Sequence, residues 1–198
     1  MRSRSVAIGL ALALALALGL GVVRSVAADD LRTGDIVLLG NDSAWGFVAR
    51  RFADADTRWS HAGMVLREGG SLSVVHMDGS PLGGRIRREA LPDFTANARY
   101  TRIVRPGLDT EQRAHVGRWL LGHMARNTAF DTRFRLDDDS VMYCSELAWR
   151  ALDQVGMTPG SDSLPRLAGR AYVPVDRLLT LGREVGDRLT SVAVGDLP

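Results

Sequence analysis

The 198-residue chain contains a single cysteine, Cys144, and four histidines, His61, His76, His115 and His123. A lone thiol has no partner for an intramolecular disulfide, so it is either a small apolar core residue or a group in use. Its surroundings bear on the choice. Asp137-Asp138-Asp139-Ser140 precedes a helix expected over 143–155, with Cys144, Leu147, Ala148, Ala151, Leu152 and Val155 on one face and Gly156 as its stop. Cys144 then falls in the first turn, where unpaired backbone N–H groups and the helix dipole favour thiolate over thiol. The chemistry this suggests is attack by sulfur on a carbonyl, which needs a base and a group to orient that base.

His115 and His123 lie on an arginine-rich amphipathic helix, where solvated or half-buried roles are the ordinary explanation. His61 and His76 are placed differently, on the two arms of an expected hairpin: His61-Ala62-Gly63-Met64-Val65-Leu66-Arg67, the turn Glu68-Gly69-Gly70, and Ser71-Leu72-Ser73-Val74-Val75-His76-Met77-Asp78. A Glu68-Gly69 loop sets His61 directly opposite His76. A slip of two through Gly69-Gly70 makes them diagonal neighbours that still share a face. Asp78 lies on the same face one step further along. His61 follows Trp59-Ser60 at the start of its strand, where a side chain can leave the core for a cleft. A cysteine at a helix start with a histidine on a sheet is the arrangement of papain-type enzymes, and the reversed chain order is no objection because roles follow geometry.

The remaining pattern supplies a frame for these residues. Leu31-Arg32-Thr33-Gly34-Asp35-Ile36-Val37-Leu38-Leu39 reads as a turn and a short apolar strand, with Asp35 mainly a turn residue. Asn41-Asp42-Ser43 can cap a helix carrying Trp45, Val48, Ala49 and Phe52 on one side. A further strand is expected over 99–105, ended by Pro106-Gly107. Asp109 with Gln112 resembles a capping box for a helix that buries Val116, Leu120 and Met124. Pro174 opens a last helix through Leu178, Leu179 and Leu181, and 189–194 suits a closing strand. No repeat or linker divides this stretch, so one α+β domain over 29–198 is expected.

The N-terminus reads as an address. Met1-Arg2-Ser3-Arg4 is basic, residues 6–23 are apolar, and Ser25-Val26-Ala27-Ala28 offers small residues for a signal peptidase before Asp29-Asp30. A signal peptide over 1–28 and a periplasmic or secreted bacterial protein follow, although about 18 apolar residues is also near the minimum for a retained anchor. Cleavage removes three arginines and takes the formal charge from +2 to −1. The whole-chain pI of about 9.2 therefore gives no case for nucleic-acid binding. No stable membrane span is expected after processing, and a monomer is the simplest state.

The chain resembles the YiiX/YebB-type permuted papain-like hydrolases, relatives of NlpC-type cell-wall peptidases and of lecithin:retinol acyltransferase-like proteins. The resemblance rests on Thr33-Gly34-Asp35-Ile36-Val37, on Trp59-Ser60-His61-Ala62-Gly63-Met64-Val65, on Phe130-Asp131 leading into Leu136-Asp137-Asp138-Asp139, and on Tyr143-Cys144-Ser145-Glu146-Leu147. It implies a circularly permuted papain-like fold with an antiparallel sheet against helices, Cys144 as nucleophile at a helix N-terminus and His61 as general base. It places His76 in the orienting role, where YiiX-like members tend to carry a carboxylate; Asp78 is the alternative. Glu146, two residues past the nucleophile, is read as favouring the helix start. The implied activity is hydrolysis of a peptide or amide-linked cell-envelope component through an acyl-cysteine, with no cofactor and no metal. Thioester or lipid acyl transfer at the same site is a second reading. A metal-binding domain using His61, His76, Asp78 and Cys144, or a ligand-binding domain without catalysis, is a third.

Overall fold

The computed structural model describes residues 25–41, 44–80, 82–186 and 188–190, so the leader through residue 24 lies outside the described residues. In chain order the elements are β1 (Ser25–Ala27), β2 (Ile36–Gly40), α1 (Ala44–Arg51), β3 (His61–Glu68), β4 (Ser71–Ser80), β5 (Gly83–Ala90), α2 (Leu91–Thr95), β6 (Tyr100–Arg105), α3 (Thr110–Ala125), β7 (Ala129–Phe130), β8 (Val141–Met142), α4 (Cys144–Asp153), β9 (Arg166–Leu167), β10 (Arg170–Ala171), β11 (Arg183–Gly186) and β12 (Arg188–Thr190). Eight strands form one sheet in the order β11-β6-β2-β3-β4-β5-β7-β8. Every neighbouring pair in it is antiparallel except β7 with β8. The class is thus α+β, with a mostly antiparallel sheet packed against helices.

Alternation along the central strands divides the core in two. Ile36, Leu38, Ala62, Met64, Leu66, Val75 and Met77 face one side, where they meet Val116 and Leu120 of α3 and Leu147, Ala148, Ala151 and Leu152 of α4. Val37, Leu39, Val65 and Val74 face the other, where Leu91 and Phe94 of α2 cover them. The α3 start has the expected capping box, with the Gln112 N–H donating to Asp109 Oδ1 at 2.8 Å and the Asp109 N–H donating to Gln112 Oε1 at 3.0 Å. Gly156 ends the helical stretch after α4 at φ +69°.

The hairpin takes the slipped register. Gly63 pairs with His76 and Glu68 with Ser71, which leaves Gly69 and Gly70 as the two-residue loop. Both have positive φ, 53° and 85°, the conformation that the tight hairpin turn matching strand twist requires at both positions. The Glu68-Gly69 loop is therefore incorrect. Glycine tolerates left-handed backbone without strain, whereas Glu68 does not, so the turn settles on the two glycines.

Other expectations need correcting. The last helix is a 3-10 turn over Asp176–Leu181. The sequence reading did not contain β5, β11 or the short strands β7 to β10. The closing strand is present as far as residue 190; residues 191–194, like Asp42 and Ser43 of the α1 cap, lie outside the described residues. Residues 25–27 form a strand parallel to β12, so processing after Ala27 or Ala28 would remove β1.

Asp35 does more than turn the chain. Its buried carboxylate accepts two hydrogen bonds from Arg105 of the adjacent strand β6, the shortest at 2.7 Å, and one from the Arg32 N–H at 2.9 Å. A second buried carboxylate governs the approach to His61. Asp176 accepts the backbone N–H groups of Asp54, Ala55 and Asp56 at 3.1, 2.7 and 2.9 Å and so fixes the segment that delivers Trp59, Ser60 and His61 to β3. Asp176→Ala leaves the N–H groups of this largely exposed segment to water and should cost about 1–2 kcal/mol in urea unfolding, with Asp176→Asn losing less because its amide oxygen still accepts.

Candidate active site

Cys144 is the first residue of α4, and its neighbours in sequence hold it there. The Tyr143 hydroxyl accepts the Val173 N–H at 2.8 Å and the Ser145 hydroxyl donates to the Val173 carbonyl at 2.7 Å, so the residues on either side of the cysteine grip one backbone unit. Glu146, fully buried, accepts from the Tyr143 N–H at 3.3 Å and from Arg150 Nε at 2.7 Å. Arg150 continues to Asp139 and to the Leu136 carbonyl, tying the acidic loop to the helix. Burial pushes the Glu146 carboxyl up to about 8 against the downward pull of Arg150. Its role is to anchor the helix start, as the sequence suggested.

The β3–β4 ladder begins at Gly63, so the preceding residue, Ala62, has no β4 partner, and its N–H is among the backbone groups that favour the Cys144 anion. Cys144, His61 and His76 line one cavity of about 360 Å³, together with Asp78, Glu89 and Asp93. His61 and His76 share a sheet face as diagonal neighbours. Their rings are perpendicular, with His61 Nε2 and His76 Nδ1 3.0 Å apart, and Phe94 of α2 packs on both. Gly63 makes room for this: a Cβ there would lie 3.0 Å from the Phe94 ring and 3.1 Å from the His76 Cβ.

Asp78 lines the cavity, but its carboxylate is taken by Arg87 at 2.7 Å. The carboxylate behind His76 is one the sequence reading missed. Glu89 of β5 places Oε2 3.5 Å from His76 Nε2, long for a hydrogen bond but close enough to attract a proton. A neutral imidazole carries one N–H. With the His76 proton drawn to Nε2 by Glu89, Nδ1 becomes an acceptor, His61 donates from Nε2, and His61 Nδ1 keeps a free lone pair. That is the tautomer a general base needs. Glu89 is invisible to pattern reading because half of β5 is charged and Ile86 is its one buried residue. The other two histidines stay outside the site. His115 is exposed, and buried His123 pairs with the Thr128 hydroxyl at 2.9 Å and packs on Trp119.

The electrostatics correct one expectation. Burial pushes the Cys144 thiol up, outweighing the N–H groups of Ala62, Ser145 and Cys144 that stabilise its anion. Burial, then the neighbouring His76, pushes His61 down to about 3. Burial also lowers His76, against the pull of Glu89. The resting site therefore holds a neutral thiol and neutral imidazoles, and the helix N-terminus alone does not produce a thiolate.

No protein-family model matches the sequence, and neither does any curated protein. Among solved structures, the fold is similar to that of the crystal structure of metalloprotein YiiX from Escherichia coli O157:H7, with a TM-score of 0.53 and 21% identity over 64% of this chain and 67% of that one. The chain has a YiiX-like fold. Of the candidate donors, Asp78 is held by Arg87, and one nitrogen of each imidazole is turned on the other ring. Among the described residues no three His, Cys, Asp or Glu side chains are grouped to hold one. Nor is any helix among them long and apolar enough to cross a membrane.

The depressed His61 has a consequence for stability. The unfolded histidine takes a proton near pH 6.5 and the folded one only near 3, so its contribution is present above 6.5 and is lost as pH falls through that window. Glu146 acts in the opposite sense but is common to wild type and variant. The fall in unfolding free energy from pH 7 to pH 5 should accordingly be smaller in His61→Gln than in wild type, by up to about 2 kcal/mol in denaturant titrations.

Proposed function

We propose that this chain is an exported cysteine hydrolase, acting in the periplasm or outside the cell, that cleaves an amide through an acyl-Cys144 intermediate. The observation that carries the reading is that Cys144, at the start of α4, and His61, at the start of β3, line the same cavity. His61, His76 and Glu89 then supply a base with its lone pair free and its ring held. A YiiX-like fold agrees with the permuted papain-like assignment that the Trp59-Ser60-His61 and Tyr143-Cys144-Ser145-Glu146 segments suggest.

Both partners start neutral, so the first step is general-base catalysis. His61 Nδ1 takes the thiol proton as the sulfur bonds to the carbonyl carbon and the carbonyl π pair moves to oxygen, where the Cys144 N–H at the helix start receives the charge. The C–N bond breaks as the oxyanion collapses, and the amine leaves with the proton from His61. Water then gives a proton to Nδ1 while its oxygen bonds to the acyl carbon, the C–S bond breaks, and the proton returns to sulfur. The products are a carboxylic acid and an amine. His76 transmits the carboxylate's pull in two weak stages, which suits a base held as neutral imidazole until substrate arrives.

Hydrolysis of N-acyl 4-nitroanilides, with intact-protein mass after acid quench, tests this. An acyl adduct confined to Cys144 is expected. Cys144→Ala should abolish turnover, His61→Ala should lower kcat/KM by about 10³-fold or more, and Glu89→Gln by about tenfold. Turnover that survives Cys144→Ala would overturn the reading.

A further inference from the structure

At the end of β3 remote from His61, a hollow of about 550 Å³ gathers four guanidinium groups, those of Arg32, Arg67, Arg113 and Arg118. The one acid on its wall, Glu68, is taken by Arg88 at 2.5 Å. Arg67 donates to the carbonyls of Ala28 at 2.7 Å and Leu31 at 2.6 Å, and Arg113 to that of Thr33 at 2.8 Å, uncharged acceptors that leave the positive charge uncancelled. The nearest carboxylates are exposed Asp29, 3.9 Å from Arg67, and buried Asp35, 3.8 Å from Arg113 and already paired with Arg105 at 2.7 Å. Arg32 and Arg118 are exposed, with no ion pair among the described residues. Burial, joined by Arg32 and Arg105, lowers the Arg113 pKa against the pull of Asp35, a sign of how closely the positive charges are crowded.

We infer that this arginine groove seats the domain on a membrane surface by binding the phosphate oxygens of anionic phospholipid headgroups. The fork of N–H donors on arginine matches phosphate oxygens in pairs. Two observations favour a lipid surface over a dissolved anion. First, the groove borders the place where the chain enters the fold. Only Arg24 lies between the apolar run of residues 6–23 and β1, and the Ala28 and Leu31 carbonyls that Arg67 holds lie just past that strand. A chain that leaves a bilayer through such a run brings these arginines to headgroup level with it. Second, the charges are spread over a face and are not closed around a point. Exposed Arg32 precedes β2, exposed Arg118 projects from α3, and Arg32 also lines the next hollow with Arg183 and with Val26 of β1. Asp29 and Asp30 line that second hollow, so the first is where headgroup phosphates fit.

Docking by this face orients the other end of the molecule. β3 runs from His61 to Glu68 and rises about 3.3 Å per residue, so Arg67 lies about 20 Å along the strand from His61. A membrane lying on Arg32, Arg67 and Arg118 leaves the cavity of His61, His76 and Cys144 at the far end, facing away from lipid. The substrate then arrives from the aqueous side. The docking surface shares no residue with that cavity and does not depend on the chemistry at Cys144.

Phenylglyoxal, which modifies accessible guanidinium groups, reads the docking one arginine at a time. The full chain is mixed with vesicles of phosphatidylcholine alone, or of phosphatidylcholine with phosphatidylglycerol, labelled briefly and mapped by peptide mass. Labelling of Arg32 and Arg118 should be about fivefold slower on the vesicles that contain phosphatidylglycerol, and the difference should vanish in high salt. Arg170, exposed at the wall of a cavity that Cys144 also lines, should label equally on both. Equal labelling of Arg32 and Arg118 on the two kinds of vesicle overturns the proposal. Protection of the same two arginines by inorganic phosphate, with none on vesicles, overturns it in favour of a dissolved anion. Protection of Arg170 together with them, or in their place, overturns the orientation and the docking face alike.

Discussion

A single shared hydrogen between two neutral imidazoles, across 3.0 Å, is the contact on which the site depends. It forms because the β3–β4 register puts His61 and His76 on one face, because Gly63 leaves room beside them, and because Phe94 closes over both rings. A slip of one residue would send one ring to the opposite side of the sheet. Burial keeps both rings uncharged, and the nearby Glu89 biases which nitrogen carries each proton. The fold's investment in this corner is visible elsewhere: Asp176 fixes the segment entering β3, and Tyr143, Ser145 and Glu146 fix the start of α4.

Holding the pair neutral has a chemical meaning. A ready-made thiolate would be exposed to oxidants and stray electrophiles. On the proposed mechanism, a thiol raised by burial gives up its proton to the base only as its sulfur bonds to an electrophilic carbon. Cys144 lines both a largely apolar cavity and the one that holds the two imidazoles.

Much of this was legible in the sequence for local reasons. Apolar alternation marked β2, β3 and β4, the capping pair marked α3, and the position of Cys144 ahead of Leu147, Ala148 and Ala151 marked α4. The hairpin's two glycines allowed the register that occurs. What escaped notice depends on contacts remote in sequence. Glu89 sits on a strand with one buried residue, so nothing in its own neighbourhood announces a strand or a site. The apolar cavity draws on α1, the loop around Phe134 and the 167–175 segment, which meet only after folding. The thiol's raised pKa reverses the expectation from its helix position because burial, a property of the whole fold, outweighs the local dipole.

The most direct test of the central claim is the rate of iodoacetamide alkylation of Cys144 from pH 4 to 10, in wild type and in His61→Ala. A neutral thiol coupled to a neutral base predicts a nearly pH-independent plateau across about pH 5 to 8 in wild type, where His61 accepts the proton. Without that base, the rate should instead climb about tenfold per pH unit throughout, as hydroxide alone makes the thiolate. Superimposable profiles for the two proteins would mean that His61 does not act on Cys144, and would contradict the account.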